Sequence, residues 1–328
     1  MRIAFVADPL DTFKIYKDST FAMMTAAARR GYQIWYIAQP HIARDPDGSV
    51  RARCERIALT GDPHAWYRHE ASERLPLSAL DAVIMRKDPP FDMEYVNTTY
   101  LLELAERQGA RVFNRPAALR DHNEKFAIAG FPHLIAPTLV TRDLERVRAF
   151  HREFGDIIIK PLDGMGGMGV FRVREDELNL GAILESVSED GTRTVMAQRY
   201  IPEITAGDKR ILLIAGVAVP FSLARIPQGK EIRGNLAAGG VGRAQPLTAR
   251  DREIAVALGP TLAARGLLLV GIDVIGDYLT EINVTSPTCF QEITEQAGFP
   301  VADTFIDALE AELAVDSGTG GRACNQTT

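Results

Sequence analysis

Gly271-Ile-Asp273-Val-Ile-Gly276-Asp277-Tyr-Leu-Thr-Glu281-Ile-Asn283 consists of two apolar runs around a Gly-Asp pair, with acids set inside the runs. That pattern specifies a β-hairpin, because Gly and Asp accept the tight turn that flanking strands require. Glu281 and Asn283 are two apart on one strand and project from the same face. The place of Asp273 depends on the turn. A two-residue Gly276-Asp277 loop pairs Asp273 with Thr280 and points it away from Glu281. A three-residue loop ending at Tyr278 pairs Asp273 with Glu281, and this is the arrangement expected. Acids that face each other repel unless a cation lies between them. Carboxylate and amide oxygens suit magnesium, which takes one or two protein carboxylates and fills its shell with substrate phosphates. The plain alternative is that these polar side chains form the solvent side of an amphipathic hairpin.

Length and composition set the frame for that hairpin. A chain of 328 residues is too long for one small core and implies two or three domains. Its 46% hydrophobic and 24% charged content is that of an ordinary soluble globular protein. A net charge of −6, with Lys and Arg scattered, gives no footprint for nucleic acid. The N-terminus is too short a run for a signal peptide, and no run of about 18 apolar residues exists to span a bilayer. No nucleic acid, no membrane and a cytoplasmic location are therefore expected. Cys54, Cys289 and Cys324 lack metal or redox spacing and read as free thiols in a reducing compartment.

Along the chain, strand and helix alternate first. Strand Ile3–Ala7, a helix capped by Asp18 or Ser19 and running to Arg30, and strand Tyr32–Ala38 are followed by strand Ala82–Arg86, helix Met93–Gln108 and strand Arg111–Phe113. This is an open α/β layer, from which residues 44–75 read as an excursion with the form of a β-hairpin. A second unit holds a short helix at Asn123–Gly130, a Thr141-capped helix through Phe154, strands at 156–160 and 170–173, a helix at 175–188 and a strand at 194–201. The third has strands at 210–214 and 217–224, a helix at 248–265, the opening hairpin, and helices near 289–296 and 302–313. The division expected is 1–122, 123–200 and 201–314, with 315–328 a disordered tail rich in Gly, Thr and Ser.

Gly164-Met-Gly166-Gly167-Met-Gly169 contains a literal G-x-G-x-x-G after the strand that ends at Lys160. A dinucleotide site would need that loop to open a helix whose N-terminus receives the pyrophosphate. Instead Val170-Phe-Arg-Val173 alternates as a strand, so the loop joins two antiparallel strands. Bare backbone N–H groups there can still approach phosphate and close as a lid, with Lys160 adding a point charge. A flexible surface turn is the plain alternative. The segment 229–242, long and poor in periodicity, reads as a second flexible segment, a lid or a disordered loop, and Arg225 and Arg233 within or beside it suit a carboxylate-bearing substrate.

Together, Lys125, Lys160-Pro-Leu-Asp-Gly-Met-Gly-Gly, Met196-Ala-Gln198-Arg-Tyr200-Ile201-Pro, Gly207-Asp208-Lys-Arg210 and Asp273/Glu281/Asn283 resemble an ATP-grasp fold. Further phrases, Met85-Arg86-Lys87-Asp88-Pro-Pro, Asn123-Glu-Lys125, Leu223-Ala-Arg225-Ile-Pro-Gln-Gly, Arg233-Gly-Asn-Leu-Ala-Ala-Gly-Gly and Glu281-Ile-Asn-Val-Thr-Ser286-Pro-Thr288, are similar to bacterial glutathione synthetase. The resemblance runs from residue 1 to about 314. It implies a mixed α/β chain, an ATP-grasp fold behind an open Rossmann-like (pre-ATP-grasp) α/β domain. It also implies an ATP-dependent ligase that joins γ-glutamylcysteine to glycine, using Mg²⁺ or Mn²⁺, in a homo-oligomer, dimer or tetramer. By the same resemblance Asp273, Glu281 and Asn283 hold the metal, and Lys125, Lys160, Gly164, Gly166 and Gly167 hold phosphate oxygens. Gln198, Tyr200 and Ile201 meet adenine, Asp208 accepts the ribose hydroxyls, and Arg210 stabilises the oxyanion. Arg86, Arg225, Arg233, Ser286 and Thr288 take the peptide's carboxylates and backbone. Gln198 and Tyr200 serve equally well as ordinary strand residues, and the arginines as structural ion pairs. Another ATP-grasp carboxylate–amine ligase, or a non-catalytic ATP-binding regulator on the same fold, is the alternative reading.

Overall fold

The computed structural model describes residues 1–229, 234, 236 and 239–319 of the chain. Seven strands form the first sheet: β1 (Arg2–Ala7), β2 (Gln33–Ala38), β3 (Ile42–Arg44), β4 (Val50–Leu59), β5 (Tyr67–Pro76), β6 (Ala82–Met85) and β7 (Val112–Phe113). Their order is β3-β4-β2-β1-β6-β7, with β5 on β4. The β2-β1-β6-β7 centre is parallel, and its apolar runs are covered on both faces as parallel strands require. Helices α1 (Ser19–Arg29), α2 (Met93–Arg107) and α3 (Pro116–Arg120) belong to this unit. The Asp18 carboxylate caps α1 by accepting from the Phe21 N–H at 2.7 Å. Residues 44–75 do form a hairpin, but they are not an excursion. Strand β4 pairs antiparallel with β2 and extends the sheet.

A second sheet, in the order β10-β9-β11-β8, consists of β8 (Thr138–Thr141), β9 (Ile157–Pro161), β10 (Phe171–Val173) and β11 (Val195–Arg199). It carries α4 (Leu144–Phe154) and α5 (Leu180–Ser188). Thr141 ends a strand instead of capping a helix. The cap is Asp143, whose carboxylate accepts from Glu145 N–H at 3.0 Å, while the Thr141 hydroxyl accepts from Asp143 N–H at 3.0 Å. Strands β9 and β10 are antiparallel, so the glycine loop between them opens no helix and the dinucleotide motif is coincidental. The sheet has its own small core of Val147, Ile157, Ile159, Val173, Leu184, Val187, Val195 and Ala197.

The third sheet is antiparallel, in the order β14-β13-β12-β15-β16: β12 (Asp208–Ile214), β13 (Val217–Ile226), β14 (Val241–Pro246), β15 (Leu269–Ile275) and β16 (Tyr278–Asn283). It is flanked by α6 (Ala249–Ala264), α7 (Phe290–Ala297) and α8 (Val301–Thr319). Strand β14 lies in part of the stretch read as an irregular lid. Helix α8 reaches Thr319, so regular structure continues past Ala314 where a disordered tail was expected. The later tail lies outside the described residues. Two large apolar clusters each combine side chains of the first sheet with side chains of the third, for example Val6 with Ile272 and Phe5 with Leu212. Among the described residues no helix is long and apolar enough to cross a membrane.

In the β15–β16 hairpin Asp273 pairs with Glu281, as expected, but by a different route. Ile275 pairs with Tyr278, so the turn has two residues, and a register shift follows immediately after Asp273. Thr280 is the additional residue. Its hydroxyl donates to the Asp273 carbonyl at 3.1 Å, and the bulge restores the facing that the short turn would have removed.

Helix α6 meets the β12–β13 turn backbone to backbone. A Cβ on Gly259 would lie 2.1 Å from the Gly216 carbonyl oxygen, and one on Gly216 would lie 2.8 Å from the Gly259 oxygen. Alanine is the better helix former, yet here the contact decides. Gly259→Ala should lower unfolding stability by about 3 kcal/mol through overpacking, measured as a fall in the urea midpoint. A gain in stability would show that the helix can move aside.

Candidate active site

Between the three sheets lies one cavity of about 790 Å³. Its walls include Arg86, Lys125, Lys160, Gly164, Gly166, Gly167, Gln198, Tyr200, Ile201, Asp208, Arg210, Arg225, Glu281, Asn283, Ser286 and Thr288, all singled out from sequence. Asp273 stands behind the wall, and Arg233 lies outside the described residues.

At one end are two lysines and the glycine loop. Lys160, at the end of β9, is buried, and its ammonium donates to the Thr280 carbonyl at 3.5 Å. Burial pulls its pKa down, and Lys125 adds to the drop against the opposing pull of Glu281. The Lys125 ammonium donates to the Gly164 carbonyl and stands 3.8 Å from the Glu281 carboxylate. The loop turns through positive φ at Gly166 (61°), Gly167 (82°) and Gly169 (70°), which no side-chain-bearing residue adopts easily. A Cβ at Gly164 would come within 3.0 Å of the Met168 carbonyl. This geometry leaves backbone close to the cavity beside two ammonium groups, an arrangement suited to phosphate.

Adjoining the lysines is a charged row built by sheet register. Arg210 on β12 pairs with Asp273 on β15, which pairs with Glu281 on β16, while Asp208 pairs with Arg225 on β13. The Asp273 carboxylate accepts from both ends of the Arg210 guanidinium and from Arg225 at 2.8 Å. Burial alone would raise its pKa, but the two guanidiniums prevail and hold it at about 2. Asp273 itself is buried and does not line the cavity. Glu281 and Asn283 do reach the cavity. The Asn283 amide nitrogen donates to the Gly271 carbonyl at 3.1 Å and to Asp273 at 3.2 Å, leaving its oxygen available. One carboxylate and one amide oxygen fit a hard divalent ion that completes its shell with phosphate oxygens. Of the three ligands expected from the sequence, Glu281 and Asn283 line the cavity, and Asp273 stands behind them, paired with Glu281 and bonded to Asn283. Among the described residues no three His, Cys, Asp or Glu side chains form a metal cluster alone.

Asp208 is distinctive in the same row. One of its oxygens is bonded to Arg225, and the other is buried without a partner. Burial raises its pKa to about 7 against the pull of Arg225, with Asp273 and Glu281 adding to the rise. An unpaired acceptor at the wall favours a hydroxyl-bearing ligand. Gln198 lines the cavity, but its amide donates to the Thr138 hydroxyl at 3.0 Å and braces β11 on β8. The Tyr200 ring lies beneath the Arg172 guanidinium at 3.6 Å, and Asp156 holds that guanidinium at 2.9 and 2.6 Å.

Toward the first sheet, buried Arg86 donates to the Thr20 hydroxyl at 3.0 Å and to the Pro287 carbonyl at 2.9 Å. Its remaining nitrogen is buried without a partner. Asp18, Thr20, Glu124 and Cys289 also line the cavity and were not singled out as site residues. Asp18 was visible only as a helix cap. For Glu124 the adjacent Lys125 was the only signal.

The family model "Prokaryotic glutathione synthetase, N-terminal domain" matches residues 1–120, and "Prokaryotic glutathione synthetase, ATP-grasp domain" matches residues 124–298. A glutathione synthetase of Ralstonia nicotianae is 63% identical over 322 residues, covering 98% of this chain and 99% of its own length. One from Neisseria meningitidis serogroup B is 56% identical, covering 95% and 98%. Among solved structures, the D-cycloserine synthetase DcsG superposes with a TM-score of 0.68 at 16% identity, covering 95% of this chain and 100% of its own. The ATP-grasp ligase PsnB superposes at 0.60 with 18% identity, covering 94% and 99%. These likenesses establish the ATP-grasp fold.

His122 supports the site from outside the cavity. Its Nε2 meets the Ile282 carbonyl at 3.1 Å, on the strand between Glu281 and Asn283. Burial pushes its pKa down to about 4, and Arg265 adds to the fall. The unfolded chain takes up this proton near pH 6.5, so stability is lost as pH falls from about 6.5 toward 4. Wild type should lose about 2 kcal/mol more than His122→Gln between pH 7 and pH 5, from about 1.4 kcal/mol per pH unit. Equal losses in urea titrations would remove His122 from the account.

Proposed function

The chain belongs to the prokaryotic glutathione synthetase family and is an ATP-dependent ligase; we propose that its cavity joins γ-L-glutamyl-L-cysteine to glycine as follows. A carboxylate resists attack by an amine, so the cysteinyl carboxylate first takes the γ-phosphoryl group of ATP. ADP leaves, and an acyl phosphate remains. The glycine nitrogen then attacks the acyl carbon, and the tetrahedral centre collapses with expulsion of phosphate as the nitrogen loses its proton to solvent. No protein nucleophile is needed, so the enzyme's contribution is positioning and charge neutralisation.

Lys125, Lys160 and the amides of Gly164, Gly166 and Gly167 hold the phosphates. Asp273, Glu281 and Asn283 would hold a divalent ion, Mg²⁺ or Mn²⁺, which would neutralise phosphate charge. The open oxygen of Asp208 accepts from the ribose, with Gln198, Tyr200 and Ile201 beside the adenine. Arg210, fixed by Asp273, faces the developing oxyanion. Arg86, Arg225, Arg233, Ser286 and Thr288 bind the peptide substrate. Residues 123–200 form the unit that closes; its sheet has a small core of its own, while Ile128, Leu134 and Met196 join the larger cluster shared with the other two sheets. A cytoplasmic homodimer or homotetramer completes the proposal. The observation that carries the reading is the convergence of two lysines and a glycine loop, the oxygens of Glu281 and Asn283, and a carboxylate-anchored arginine on one cavity.

The direct test is phosphate release from ATP with γ-glutamylcysteine, with and without glycine. Full release should require both substrates and yield glutathione. ATP binding without release would instead indicate a regulator. Glu281→Gln should lower kcat by about 100-fold or more, the several kcal/mol that a metal contact supplies, with the circular dichroism spectrum unchanged. Unaltered turnover would remove Glu281 from the metal seat. Arg210→Met should depress kcat on the order of 10²–10³-fold, with a smaller effect on KM for ATP, if it acts on the transition state. A selective loss of ATP affinity would reassign it to the nucleotide.

A further inference from the structure

Strand β16 is the edge of its sheet, yet its outer side is covered. Ile282 N–H donates to the Glu124 carbonyl at 2.9 Å, and His122 meets the Ile282 carbonyl. The segment therefore lies along β16 like an added strand, pairing at the residue between Glu281 and Asn283. The Glu124 side chain continues the contact past the strand's end. One of its oxygens accepts from Val284 N–H at 2.8 Å, Thr285 N–H at 3.0 Å and the Thr285 hydroxyl at 2.9 Å. These residues lead directly into Ser286 and Thr288. The next residue in the other direction is Lys125, which reaches Gly164 and Glu281. Asn123 adds a tie from its amide to the Leu162 carbonyl at 3.2 Å.

We propose that Glu124 is a positioning residue, holding the phosphate-side Lys125, the metal-side β16 and the substrate-side 284–288 loop in one register. The idea rests on the proposed reaction for the meaning of those three parts. Its physical basis is the three-donor seat. A carboxylate accepting three hydrogen bonds with one oxygen fixes the loop more tightly than a neutral acceptor would. Two of the donors are main-chain amides beyond the ladder, and they would be unpaired without it. The bonds span about 160 residues of chain, from the junction of the first and second units to the end of the third. Burial and nearby Glu281 raise the pKa of Glu124, opposed by the Thr285 and Val284 bonds.

The test begins with wild type, whose peptide- and glycine-dependent phosphate release establishes the reaction independently of Glu124. Glu124→Ala should then reduce kcat by about 100-fold, the upper range for removing a supporting contact of a metal site, and raise KM for both ATP and peptide. Glu124→Gln, which keeps an acceptor oxygen, should lose only about 10-fold, at the lower end of that range. Calorimetric titration with the magnesium complex of a non-hydrolysable ATP analogue should show weaker binding by folded Glu124→Ala. Thr285→Val should lower kcat severalfold in wild type and have no further effect in Glu124→Ala, because the two share one bond. If Glu124→Ala does not fold, the glutamine variant and Thr285→Val carry the test. A lower melting temperature with unchanged kcat, KM and analogue binding would make Glu124 merely structural and overturn the proposal. Equal damage from Gln and Ala with both KM values unchanged would point to proton transfer and overturn it as well.

Discussion

Asp273 between Arg210 and Arg225 is the interaction on which the site depends. Two guanidiniums at a cavity wall would be costly to bury alone, and each needs a carboxylate with good geometry. Sheet register supplies it. Arg210 stands directly across from Asp273, and Asp208, two residues before Arg210 on the same face, stands across from Arg225. Both arginines therefore reach the cavity already oriented, with their charge partly neutralised from behind. Removing Asp273 would leave two unpaired buried cations and alter an entire face of the sheet. Its role in the structure is to set the arginines, and the Glu281–Asn283 pair on β16 is positioned relative to that row.

How much of this was legible from sequence follows the range of the interactions. Strands β1, β2, β9 and β12 and helices α1, α2 and α6 are written in local periodicity and caps, such as Asp18 before α1 and Thr248 before α6. Strands β8 and β14 were missed because they are short, polar-edged and stabilised only by cross-strand partners. The hairpin shows the limit most clearly. The facing of Asp273 and Glu281 was reached through the wrong turn, since a bulge at Thr280 depends on a hydrogen bond that no local pattern announces. The cavity residues carried by compact motifs were found together. Glu124 was not, because its partners Val284 and Thr285 are adjacent only after folding.

The lysine end of the cavity shows how such a site can favour its ligand before the ligand arrives. Lys160 is buried, and among the described residues no carboxylate lies within ion-pair distance of its ammonium. Lys125 lies near enough to depress its pKa further. Two desolvated like charges in a folded wall are unfavourable relative to water, and the rest of the fold must hold them there. A polyphosphate removes that penalty while forming charge-assisted bonds, so part of its binding free energy comes from relief of strain already present in the protein. The same binding stabilises the folded state by mass action. The loop beside the two lysines is folded tightly on itself, since a Cβ at Gly164 would come within 3.0 Å of the Met168 carbonyl and 3.1 Å of the Pro161 ring. On the proposed reading, Lys160 is thus a cation buried before its anion is present, while Lys125 beside it already faces Glu281.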